Sequence, residues 1–216
     1  SGIYVGTKIA TNDMTNEIVE GKLKGFIDLR DTILPNLQAE LDELASELRD
    51  SFNQVHNRGV TFPGAQTYSG TRIFIRPGNQ TMTFDSGGDD VRLILFDANG
   101  DQSKITGLET IMQSASYGSG GQVANGPWTI TEVAATIEDW LQANGAASAT
   151  AAVGTDGTFN IALNTTSLNL AFRDETSSTN GSTHEDAVIS YDANGDTVSD
   201  ATINGFSNFF GLNDFR

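Results

Sequence analysis

Apolar residues recur along this chain at two different periods, and the period changes near Gly59. Residues 16–58 read as helical throughout, with Ile18, Val19, Leu23, Phe26, Ile27 and Leu29 on one broad face behind Asn16, a suitable N-cap. Gly21 and Gly25 weaken that stretch. Pro35 has no amide hydrogen, so it either opens a second helix, with Thr32 near enough to cap it, or kinks a continuous one; two abutting helices are the expectation. From there the apolar positions follow a seven-residue repeat. Leu34, Leu41, Leu48 and Val55 form one row, and Leu37 and Leu44 the interleaved row, which continues at Ser51 with Phe52 beside it. That is a coiled-coil-like seam, and Glu40, Asp42, Glu43, Glu47, Arg49 and Asp50 occupy the other faces. Such a helix must bury its stripe against other helices.

Beyond Gly59 the period becomes twofold. Residues 72–76, 91–96, 147–153, 159–163, 168–172 and 187–191 read as strands. Asn-Gly or Asp-Gly pairs at 99–100, 125–126, 156–157, 180–181 and 194–195 punctuate them, because these residues tolerate the positive φ of tight hairpins. One further helix is predicted over 131–143, capped by Thr129 or Thr131, with Val133, Ala134, Ile137, Trp140 and Leu141 on its apolar face. It is too short to cover the long seam. Residues 114–126 and 176–185, rich in Gly, Ser and Thr, are expected to be loops. The segment from Phe206 to Leu212 is aromatic and must pack against something.

Leu, Ile, Val and Phe make up 52 of the 216 residues, so a core can form but not a rich one. There is no cysteine, which excludes disulfides, thiolate zinc sites and cysteine nucleophiles. The net charge of −16 opposes phosphate backbones and anionic lipid surfaces, so neither nucleic acid nor a membrane is an expected partner. The longest apolar run, Leu93 to Phe96, is far shorter than the ~20 residues a bilayer span requires, and the N-terminus has no basic-then-apolar signal pattern.

Candidate chemistry is sparse. Asp-Ala-Asn-Gly-Asp occurs at 97–101 and again at 192–196, presenting alternating oxygens as a calcium loop does. The sixth and twelfth positions of such a loop hold Gln102 and Leu108 in one copy and Thr197 and Ile203 in the other, so an Asn-Gly turn flanked by aspartates is the favoured reading. His56 and His184 do not form a metal-binding pair. Gly118-Ser119-Gly120-Gly121 lacks the following Lys-Ser or Lys-Thr of a phosphate cradle. The acidic pairs Asp89-Asp90 and Glu185-Asp186 lie beside turns, where carboxylates are ordinarily solvated. Trp128 and Trp140 read as core anchors rather than sugar platforms, and Arg72 and Arg76 as snorkelling arginines flanking a half-buried Phe74. No catalytic residue, cofactor, metal or small-molecule substrate is expected.

Three stretches, in order, resemble the flagellar hook-associated protein 1 family, the hook–filament junction proteins of bacteria. Residues 21–31, Gly-Lys-Leu-Lys-Gly-Phe-Ile-Asp-Leu-Arg-Asp, are similar to the family's Gly-x-Leu-x-Gly-Leu-Leu-x-x-Arg-Asp helix. Leu41-Asp42-Glu43-Leu44-Ala45, Leu48, Asn53-Gln54, His56 and Gly59 resemble its long helix, and residues 208–214 resemble the motif before its returning C-terminal helices. The resemblance covers about 55 residues. It implies an α+β chain: a partial long-helix rod domain at 1–60, an inserted β-rich outer domain with one short helix at 61–203, and a return into the rod at 204–216. It also implies a central fragment without the terminal polymerising helices, exported through the flagellar channel to the cell exterior. The implied role is structural, in a ring with other copies of itself, against the hook protein and a neighbouring hook-associated protein. The seam residues Leu34, Leu37, Leu41, Leu44, Leu48 and Val55 are the expected packing surface. A calcium-dependent adhesin or glycan-binding β module is the competing expectation, resting on the two repeated pentapeptides and Trp128.

Overall fold

The computed structural model describes residues 2–58, 62, 64–85, 88–176 and 186–212, with the backbone alone at 50, 53–58 and 176. The chain is α+β and divides into two units, Ser1–Ser51 and Phe52–Arg216.

In the first unit, residues 3–15 double back: the Val5 amide donates to Asn12 O at 3.0 Å and the Met14 amide to Ile3 O at 2.8 Å. Helix α1 (Gly21–Asp28) begins at Gly21, whose φ is +85°, a left-handed angle that suits glycine and separates the helix from Ile18 and Val19. The helix therefore starts five residues later than the apolar period predicts, and Asn16 is not its cap. From α1 the chain runs without a break through a π-helical stretch, Leu29–Ile33, into α2 (Leu34–Arg58). The Leu34 amide donates to Leu29 O, five residues back. This widened turn lies immediately before Pro35, whose missing N–H and bulky ring disfavour a regular α-turn there. One continuous helix thus replaces the two expected abutting ones.

Among the described residues, the second unit contains three antiparallel sheets. In the first, β1 (Thr67–Ile73) pairs with β7 (Thr158–Ala162), and β7 with β6 (Thr150–Val153). In the second, β3 (Asp89–Asp97) lies between β4 (Gln102–Gly107) and β8 (Leu168–Thr176), and its register with β8 runs from Asp89↔Thr176 to Asp97↔Leu168. The third has the order β10 (Ala201–Asn204), β9 (Val188–Asp192), β2 (Thr81–Phe84), β5 (Trp128–Thr129). The expected strand at 72–76 ends at Ile73, and Phe74, expected half-buried, is almost fully enclosed.

Among the described residues three helices lie wholly within this unit, where one was expected. Helix α4 (Ile130–Ala143) is capped by Thr129, whose hydroxyl accepts the Glu132 amide while the Glu132 carboxylate accepts the Thr129 amide at 2.8 Å. Its face of Ile130, Val133, Ile137, Trp140 and Leu141 is buried. Helix α3 (Leu108–Gln113) buries Leu108, Ile111 and Met112; the Asp90 carboxylate accepts the Glu109 amide in its first turn at 3.0 Å. Helix α5 (Phe206–Phe210) sinks three rings into the core: Phe210 lies 4.5 Å from Phe159 and 5.6 Å from Phe74, and Phe206 lies 5.1 Å from Phe172 (ring centroids). The aromatic segment at 206–210 completes the β-rich core.

Candidate assembly surface

An α-helix turns about 100° per residue, so the positions Leu34, Leu37, Leu41, Leu44, Leu48 and Phe52 fall within a sector of roughly 80° and extend over about 27 Å of α2. The five leucines are each between 48% and 61% exposed, and Phe52 is 68% exposed. The side chain of Val55, the remaining expected seam residue, lies outside the described residues. Leu23, Phe26, Leu29 and Ile33 add exposed apolar surface before Leu34. Ile27 is the one buried apolar side chain of the first unit among the described residues. The opposite side of α2 is acidic, with Glu40, Asp42, Glu43 and Glu47 exposed. At the π-helical stretch Arg30 and Asp31 pair at 2.5 Å; the hydrogen bond from Arg30 holds the Asp31 carboxyl below the usual carboxylate range. An apolar stripe of this length on an otherwise polar helix is costly to leave in water.

Residues 2–74 match the family model described as the flagellar hook-associated protein FlgK helical domain. The match spans 73 of the 216 residues, covering the first unit, the whole of α2 and β1. No curated protein and no solved structure matches the chain. The matched segment is thus similar to the helical domain of a flagellar hook-associated protein. None of the described helices is long and apolar enough to cross a membrane. The exposed Phe26 and Ile33 fall outside the heptad count, because the π-helical stretch shifts the phase on which it depends.

Other sequence candidates sit elsewhere in the second unit. Asp97–Asp101 forms the β3–β4 hairpin turn, where the Asp97 carboxylate accepts the amides of Asn99 and Asp101 at 2.8 and 2.9 Å. Asp192–Asp196 opens a longer loop between β9 and β10 rather than a tight hairpin. The Asp192 carboxylate accepts the amides of Asn194, Gly195 and Thr197. Burial raises the Asp192 pKa, but these amides outweigh it and leave the group below its ordinary value. Both carboxylates are thus committed to their own turns. Trp128 is fully buried, donates to Val123 O at 2.9 Å and meets Phe84 edge-on, while Trp140 is 4% exposed. Arg72 donates to Phe209 O and stacks over the rings of Phe209 and Tyr191 at 5.5 and 5.9 Å.

The acidic pairs depart most from expectation. Asp89 and Asp186 are buried, not solvated. Asp89 lies on β3 and Asp186 just precedes β9, and both act on the buried Asp174 of β8, a proximity no local signal reveals. Glu185 and His184 lie outside the described residues, as does the side chain of His56. Among the described residues no cluster of His, Asp and Glu is disposed to hold a metal ion.

Proposed function

We propose that this chain is a structural subunit of the hook–filament junction of the bacterial flagellum, held in place by helix packing along the α2 stripe. The observation that carries this reading is the exposed row of Leu34, Leu37, Leu41, Leu44 and Leu48 inside the segment that matches the hook-associated helical domain. In this reading the row, continued by Val55, forms a coiled-coil-like seam with long helices of the assembly. Its partners are other copies of the chain in a ring, the hook protein and a neighbouring hook-associated protein, outside the cell after flagellar export. The finer architecture is a helical rod carrying an inserted β-rich domain. It is supported by the way β1, the first strand of the second unit, lies against α5, its last helix: Arg72 donates to Phe209 O, and a Cβ on Gly70 would stand 2.4 Å from Phe210 O.

The calcium-dependent adhesin or Trp-based glycan module has less support, since the repeated aspartates serve their own turns and both tryptophans are in the core.

Leu41→Asp combined with Leu48→Asp in the full-length protein tests the proposal. Burying two carboxylates in an apolar seam costs about 4 kcal/mol or more, so assembly on isolated hooks should be lost while the helix content seen by circular dichroism persists. The control pair Glu43→Gln and Glu47→Gln, on the acidic side, should assemble normally. Normal assembly of the aspartate variant would overturn the role of the stripe.

A further inference from the structure

The outward face of the β10–β9–β2–β5 sheet carries a groove that helix packing leaves unused. Its volume is about 370 Å³, within the range of small-ligand sites. On β2, Met82 and Phe84 point into the core, so Thr81 and Thr83 stand on the other face. Ser190 of β9 lies opposite Thr83 in register, and Asp192 opposite Thr81. The strands of the floor already pair with each other through their backbones, so the floor offers side chains rather than a free sheet edge. Ser190 donates its hydroxyl hydrogen to Asp85 Oδ1, which turns the Ser190 oxygen into an oriented acceptor. One wall is the loop that Asp192 stiffens through three backbone amides; Pro127 supplies an apolar rim.

The charge pattern narrows the ligand. Neither Lys, Arg nor His is among the lining residues, two carboxylates are, and the chain carries −16, so anionic ligands are repelled. A cation is poorly served, because the oxygens of Asp192 are engaged by amides and Asp85 then stands as a single carboxylate. A neutral ligand with many hydroxyls fits: it donates to Asp85, exchanges hydrogen bonds with Ser190, Thr81 and Thr83, and lays a C–H face on Pro127. We propose that this groove binds a short neutral carbohydrate without calcium. The inference is independent of the role of the α2 stripe.

The test begins with the fluorescently labelled 216-residue chain on an array of neutral, sialylated and sulfated glycans, in buffer containing EDTA. Saturation-transfer difference NMR then follows on the strongest neutral binder. Expected are binding confined to neutral glycans and a loss of affinity of about tenfold or more in Asp85→Asn combined with Thr83→Val, equivalent to one lost hydrogen bond or more. Thr81→Val, a milder change on the same floor, provides a second reading should the double variant not fold. No neutral glycan bound, preference for sialylated or sulfated ones, or unchanged affinity in the folded variants would each overturn the proposal.

Discussion

Asp174 on β8 is 1% exposed, and its two carboxylate oxygens accept the Phe206 amide at 3.1 and 3.3 Å. Burial pushes its pKa well above the ordinary carboxylate value; the amides of Phe206 and Ala187 oppose the rise, while Asp186 and Asp89 add to it. The folded chain therefore holds the proton more tightly than the unfolded chain does. The resulting stabilisation is fully present below about pH 4, the unfolded value, and is lost as pH rises through the raised folded value. Asp174→Asn keeps an acceptor for Phe206 and removes the charge. Thermal unfolding between about pH 4 and 8 should show the melting temperature of the variant gaining on that of the parent as pH increases; parallel curves would show that Asp174 contributes no such dependence. Nothing in the sequence marks this residue. Asp174 follows the apolar run 168–172, and only the return of residues 186–206 from elsewhere in the chain walls it in.

At the level of elements, legibility followed periodicity. Helix α4 carries both an apolar face at helical spacing and a Thr129–Glu132 capping box, and its observed bounds lie within one residue of expectation. Strands β3, β6, β7, β8 and β9 were visible through their apolar runs and alternation. Strands β4 and β10 were not, since they lie at sheet edges with mostly exposed side chains and so have no alternation to read. Strands β2 and β5 are only four and two residues long. Helix α5, at five residues, is below any helical period, yet it contributes Phe206, Phe209 and Phe210, each with no exposed surface. Phe210→Ala should destabilise the second unit by about 3–5 kcal/mol, because the ring leaves a cavity among Phe74, Phe159, Phe206 and Phe209. Chemical denaturation followed through tryptophan fluorescence measures this directly, since Trp128 and Trp140 both lie in that core. A loss below about 1 kcal/mol would contradict the packing described here.

On the scale of the whole molecule, the two units divide the work of burial very unequally. The second encloses a core drawn from all three sheets and three helices, while the first buries Ile27 and leaves its leucine row open. The leucine row along one side of α2 was legible because a heptad is a long-range signal within one element. The groove was not, because Thr81, Asp85, Ser190 and Asp192 are joined only by the pairing of β2 with β9. The commitment of Asp97 and Asp192 to their own turns predicts that millimolar calcium, or a chelator, leaves the melting temperature unchanged in scanning calorimetry. A calcium-dependent rise would show an ion bound by the native state.

The contact of β1 with α5 has a mechanical corollary. Arg72 of β1 donates to Phe209 O, and Gly70 has no Cβ to keep Phe210 O away, so a pull on β1 loads α5 as well as the sheet partner β7.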